Sequence, residues 1–372
     1  MPRGGGGLAA RETLIESAVR VALRDRIRLR RGENLIVESW PHGLDIAREA
    51  VYQARAMGAH PMLIVEDEKA LFRSLETLKP GATRAGAHEW GALAKANAYF
   101  FVPGPADLPR AWALGGKWGA AYPSNSEWYD RAKRAKIRGV RFLYGWTSAE
   151  RAAAYGLDLE AWREMVLEAA AVTPGQIRPK GAKLSRILER GKRVAITAPN
   201  GTDFTVGLAG RSAQVDDGSV SAQDLKDGEN MTQAPAGQLW VAPDERTAEG
   251  KFVADRPSLS LGRAVKGAEF EFKGGKLASA AFRENGELFD KAFAKAKGDK
   301  DRVGMLIFGL NPKVRPGFPQ DPVAAGVVTL TLGYNNEVGG KNKTEFQVLA
   351  PLASATVEVD GKKVVDGGRL LV

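Results

Sequence analysis

No cysteine occurs among the 372 residues, and only three histidines do: His42, His60 and His88. The first absence removes disulfides, thiolate nucleophiles and cysteine-ligated metal centres, and it suits a reducing compartment. The second makes a multi-histidine metal site hard to assemble, because all three imidazoles fall in the first half of the chain. No run reaches the roughly 18 apolar residues that a membrane-spanning helix needs. The Gly-rich start, 1–7, leads into no apolar stretch, so no signal peptide is expected and the cytoplasm is the expected location. GxxxxGK[ST], HExxH and GxSxG are all missing, which removes the simplest routes to a P-loop, a zincin or a serine hydrolase.

What is present fits a globular chain of more than one core. Apolar residues make up 44% of the sequence, and this length exceeds the usual single-core limit. The formal charge of +10 raises nucleic-acid binding. The basic residues are spread out, however, and the densest group, Arg24, Arg26, Arg28, Arg30 and Arg31, is expected to be a solvated face. No zinc-finger, basic-zipper or RNP pattern accompanies it, so nucleic acid is disfavoured and an anionic small molecule is an equal explanation.

The pattern changes near residue 185. Before it, strand-like segments at 33–38, 60–65, 98–102 and 140–144 alternate with helix-like ones at 44–57, 68–78 and 159–172, which predicts a mainly parallel α/β sheet. After a connecting helix at 180–190, short strands dominate: 193–197, 204–208, 237–241, 251–253, 268–272, 304–308, 327–332 and 355–359. Gly-containing turns separate them and one helix, 287–297, intervenes. The expected division is a tail at 1–7, an α/β domain at 8–185 and a β-rich α+β domain at 186–372. His42 follows Trp40-Pro41 at a strand end, where α/β folds place binding residues, although a packing role is the stronger expectation. His60 is expected in a buried strand and His88 on the surface.

The second half carries six ordered elements: Lys192-Arg193-Val194-Ala195-Ile196-Thr197-Ala198-Pro199-Asn200-Gly201-Thr202-Asp203, then Asp216-Asp217-Gly218, then 230–243, 304–312, 327–333 and Gly339-Gly340-Lys341-Asn342. The hairpin Val359-Asp360-Gly361-Lys362 closes the series. Together they resemble the catalytic half of the M29 (thermophilic aminopeptidase) metallopeptidase family. The resemblance implies that family's two-domain fold and a homodimer formed through the catalytic halves. It also sets the family's metal-binding Glu, Glu, His and His-x-Asp positions on Gln238, Met305, Thr329, Gln347 and Leu349. Neutral amides, a thioether, a hydroxyl and an alkyl group are poor ligands for a hard divalent cation. No cofactor and no metal site are therefore expected, and neither is metallo-aminopeptidase activity. Shifting the alignment recovers no histidine, since the second half has none.

Three functions fit. In the first, a repurposed hydrolase-like enzyme or binder takes a small aromatic or anionic molecule in an interdomain cleft. Gln238, Thr329 and Gln347 supply hydrogen bonds, Met305 and Leu349 form an apolar floor, and Tyr334 stacks, alongside Trp240 and Phe346. Asp216, Asp217, Glu337 or Glu345 would act as acid or base, against the plainer role of turn or surface carboxylates. The second is a non-catalytic scaffold or partner subunit that binds another protein. The third is a metal-dependent aminopeptidase, or a relative of the iron-using 2,5-dihydroxypyridine dioxygenases, with unrecognised ligands that include His42.

Overall fold

The computed structural model describes residues 5–79, 81–121, 123–208, 210–259, 261 and 263–372. Side chains 5–10, 119–121 and 123–126 are outside the description, as are residues 1–4 of the expected tail; a helix, Gly5–Val21, already begins at Gly5. The chain divides into two compact units, Met1–Pro174 with Gly218–Ala236, and Gly175–Asp217 with Gly237–Val372. A cut at 185 falls inside one helix, Pro174–Arg190. It also overlooks residues 218–236, which join the first unit because the strand Met231–Ala234 pairs with its sheet.

The first unit is built on five parallel strands in the order His60–Val65, Asn34–Ser39, Ala98–Phe101, Arg138–Phe142, Met231–Ala234. The helices are punctuated by local chemistry. Asp67, Asp107, Ser148 and Asp158 each accept the backbone N–H of the residue three positions on, in the first turn of the helix that follows, which satisfies one of the donors that a helix start leaves open. Trp162, Met165 and Val166 bury one side of the helix Leu159–Ala170.

Two expectations are corrected here. The strand His60–Val65 is an exposed edge rather than a buried strand: it pairs on one side only, and Met62, Leu63 and Val65 are each about two-fifths exposed (42%, 40% and 43%). His60 is likewise exposed. Arg26 does not lie on a solvated face but is fully buried. Its guanidinium donates to Gly218 O at 3.1 Å, Ala170 O at 3.2 Å and Val172 O at 2.8 Å. A buried cation is tolerated only when its donors find acceptors, and three carbonyls drawn from two distant segments supply them. Gly218 sits at φ +85°, and a Cβ there would come within 1.7 Å of Arg26 Nη1, so no other residue fits.

The second unit holds two antiparallel sheets. Eight strands run in the order Lys276–Ala281, Glu269–Lys273, Glu249–Val253, Thr202–Gly207, Arg193–Ala198, Thr356–Val359, Lys362–Asp366, Arg369–Leu370. Five run in the order Gln347–Leu352, Val328–Gly333, Val303–Gly309, Gln238–Val241, Gln214–Asp216. The strands Val303–Gly309 and Val328–Gly333 are buried along their whole length. That explains their near-continuous apolar sequence, since a strand covered on both faces has no solvent side to alternate with. A cluster of Phe270, Phe282, Phe289, Phe293 and Phe346 packs the helix Gly286–Lys295, with ring centroids 4.7–6.0 Å apart.

Candidate functional site

The five-stranded sheet gathers most of the predicted site residues on one face. Residues directly opposite in an antiparallel pair point the same way, and so do those two apart along a strand. Asp216 is opposite Gln238, and Gln238 is opposite Gly309. Trp240 is opposite Ile307, which is opposite Thr329, and Thr329 is opposite Pro351. Thr331 is opposite Leu349, and Gly333 is opposite Gln347. Met305 lies in a bulge between Val303 and Leu306, and it packs on this face with Trp240, Ala242, Ile307 and Val338. Gln238, Met305, Thr329, Leu349 and Gln347 therefore share one surface.

They do not all meet. Gln238 stands two residue steps from Thr329 in one direction and Gln347 four in the other. At about 3.4 Å per residue that is a separation of about 20 Å along the strands, beyond the joint reach of two amide side chains. Gln238, Met305 and Thr329 form one buried group, 6%, 5% and 0% exposed, while Gln347 and Leu349 are half-buried. The Thr329 hydroxyl is buried with no hydrogen-bond partner. Two residues along, Thr331 Oγ1 accepts from Met305 N at 2.7 Å and so fixes the bulge.

Of the carboxylate candidates, Asp216 shares this face, opposite Gln238, and the other three are placed elsewhere. Asp217 is held by Arg178 Nε at 2.6 Å. Glu337 and Glu345 are exposed. Tyr334 is half-buried, and burial, helped by the neighbouring negative charges of Glu337 and Glu345, raises its hydroxyl pKa. Sequence reasoning missed the network that supports this end of the sheet. Arg211 pairs in two-pronged fashion with buried Glu245 at 2.8 and 2.9 Å. Glu245 also accepts from Asn335 Nδ2 at 2.9 Å and Lys341 N at 2.8 Å. Burial alone would raise the Glu245 carboxyl, but the donors from Arg211, Lys341 and Asn335 prevail and hold it at about 2. Asn342 N donates to Asn335 Oδ1, and Gly340 leaves room for that side chain, since a Cβ would lie 1.9 Å from Asn335 Cγ.

The first unit contains a feature with no counterpart in the sequence reading: a cavity of about 520 Å³ on the sheet face toward the carboxyl ends of its strands. Glu38, Tyr99 and Arg141 line its floor, with Trp40, Trp128 and Trp146 around them. Tyr99 donates its hydroxyl to Glu38, and its ring lies 4.1 Å from that of Trp128. Burial pushes the Glu38 carboxyl up to about 7, opposed by the Tyr99 hydrogen bond and assisted by Glu66 and Glu89. Burial also raises Glu66, with Glu89 and Asp67 adding to it. His42 lies nearby in the fold's first turn after a strand; it bonds Gly145 O through Nε2 at 2.8 Å, and burial lowers its pKa. His88 is exposed beside Glu89.

Among the described residues, no group of three or more His, Asp or Glu is placed to hold a metal ion, and no helix is long and apolar enough to cross a membrane. Residues 177–304 match the family described as thermophilic metalloprotease (M29). No curated protein matches the sequence. Wild-type AmpT from Thermus thermophilus is similar in structure at a TM-score of 0.74 and 22% identity, covering 97% of this chain and 100% of its own. The 2,5-dihydroxypyridine dioxygenase from Pseudomonas putida KT2440 is similar at a TM-score of 0.61 and 16% identity, covering 98% of this chain and 97% of its own. Residues 177–304 thus match the thermophilic metalloprotease (M29) family, and the mainly parallel first sheet and antiparallel second unit share the fold of AmpT.

Proposed function

We propose that this chain uses the M29 fold to bind a small organic molecule without a dinuclear metal centre, so that any hydrolytic activity it has is metal-independent. One observation carries this. The sheet face on which the family resemblance sets five metal ligands bears Gln238, Met305, Thr329, Leu349 and Gln347. A dinuclear centre needs charged or imidazole donors to hold its ions and acidify water, and this donor set does not fit one. Gln238 and the unpartnered Thr329 hydroxyl supply hydrogen bonds, over an apolar floor of Met305 and Ile307. A small aromatic ligand is supported by the fold shared with a protein named for 2,5-dihydroxypyridine. A homodimer and a cytoplasmic location belong to the same proposal, on the family resemblance.

The test combines two assays on the full chain. Hydrolysis of aminoacyl p-nitroanilides is measured with and without added zinc, cobalt or manganese, and no metal-dependent rate is expected. A thermal-shift panel of aromatic acids, phenols and amines is expected to give at least one stabilising compound whose effect Gln238→Ala reduces. Metal-stimulated peptidase activity, or a panel without any Gln238-dependent response, refutes the proposal.

A further inference from the structure

The cavity of the first unit has the makings of a ligand site in its own right. Its volume, about 520 Å³, lies within the range of small-molecule pockets. It opens toward the carboxyl ends of parallel strands, where open α/β sheets place ligands. Its walls are tryptophan-rich, and three carboxylates, Glu38, Glu66 and Glu89, enter it from a strand, the turn after the next strand and a helix. Glu38 and Glu66 form no ion pair among the described residues; Glu89 lies 3.8 Å from the exposed His88 and accepts from Gly86 N at 3.1 Å with one oxygen. Of the two arginines present, Arg151 donates to Pro105 O at 3.0 Å.

Two further groups await a partner. Trp40 is 5% exposed, and its indole Nε1 has no hydrogen-bond partner. Arg141 Nε is also buried without one. An unpaired buried N–H carries a desolvation cost that a bound acceptor recovers. The Trp40 ring is fixed by Gly104, where a Cβ would come within 2.3 Å of it.

We propose that this cavity binds a small, flat organic amine. The cationic nitrogen faces Glu38, Glu66 and Glu89, the flat body lies among Trp40, Trp128 and Trp146, and an acceptor oxygen, where the ligand has one, meets Trp40 or Arg141. Three carboxylates outnumber the two arginines of the cavity, of which Arg151 already serves a backbone carbonyl, so the lining favours a cation, and aromatic faces add to that attraction. This site is separate from the sheet face of the second unit and does not depend on it.

Isothermal titration of the full chain with tryptamine and indole-3-acetate tests the assignment, since the two share a ring and differ in the sign of charge. Tryptamine is expected to bind saturably, and indole-3-acetate at least about tenfold more weakly. Glu66→Gln and Glu89→Gln each keep an acceptor while removing charge, and each is expected to weaken tryptamine several-fold. The proposal is overturned by no saturable tryptamine binding, by equal affinity for the acid, or by unchanged affinity in both glutamine variants.

Discussion

Two threonines of one strand, on one face and two residues apart, should respond in opposite directions to the same substitution. Thr331 Oγ1 accepts from the buried Met305 N at 2.7 Å, whereas Thr329 Oγ1 is buried without a partner. Valine matches threonine in shape and lacks the hydroxyl. Thr331→Val would leave the Met305 N–H unpaired in the bulge, at a cost of about 1–3 kcal/mol. Thr329→Val removes a hydroxyl that gains nothing in the ligand-free protein, so stability should be unchanged or rise by about 1 kcal/mol. For a unit of this size, 1 kcal/mol corresponds to about 2–4 °C in Tm. Scanning calorimetry should therefore place the Thr331→Val transition of the second unit several degrees below wild type and the Thr329→Val transition at or above it. Two units can unfold separately, so the comparison is made on the transition that moves. If Thr329→Val costs as much as Thr331→Val, the face is not organised as described.

Glu245 should make the second unit acid-sensitive: its carboxyl is held at about 2 in the fold against an ordinary 4.5, so the stabilisation is complete above 4.5 and lost as pH falls toward 2. That gap corresponds to about 3 kcal/mol, and urea titrations of Glu245→Gln between pH 7 and 3 should show a correspondingly flatter profile. Asp321 has the opposite sign. It is 3% exposed and its carboxyl is pushed up to about 6 by burial, against backbone donors from Gly317 and Phe318. Its ionised form is therefore a cost above pH 6 that fades as pH falls toward 3.8. Both donors use one oxygen, Oδ1, so Asp321→Asn keeps them and should stabilise by about 1–3 kcal/mol at pH 8 and by little at pH 4. Gly218→Ala drives a methyl into the Arg26 guanidinium at a positive φ and should cost more than about 2 kcal/mol by denaturant titration.

Legibility in the sequence followed the locality of the cause. The parallel strands of the first unit were readable because 34–39 and 98–101 are short apolar runs bounded by turn residues, a purely local signal. Their order was not, and Met231–Ala234 joins that sheet from a distant part of the chain. Edge position misled the reading of His60–Val65, since an apolar strand looks the same whether one or both of its sides are paired. Arg26 was misread for a related reason: its acceptors at 170, 172 and 218 are far away in sequence. At the candidate site, the ordered motifs found the positions that share one sheet face. The role of Thr331 depends on a bulge, and that of Glu245 on three segments meeting, so neither was visible. The cavity of the first unit did leave a trace, in glutamates at or just beyond two strand ends, Glu38 and Glu66, and in the tryptophans at 118, 128 and 146.

The central claim concerns whether this M29-like chain holds metal ions, and it is met most directly by weighing them. Protein purified without chelator, then equilibrated with micromolar zinc, manganese, iron or cobalt and passed through a desalting column, is assayed by inductively coupled plasma mass spectrometry. The donor chemistry of Gln238, Met305, Thr329, Leu349 and Gln347 predicts far less than one retained ion per chain, with or without equilibration. One or two tightly held ions per chain, lost when Gln238 or Thr329 is replaced by alanine, would contradict it.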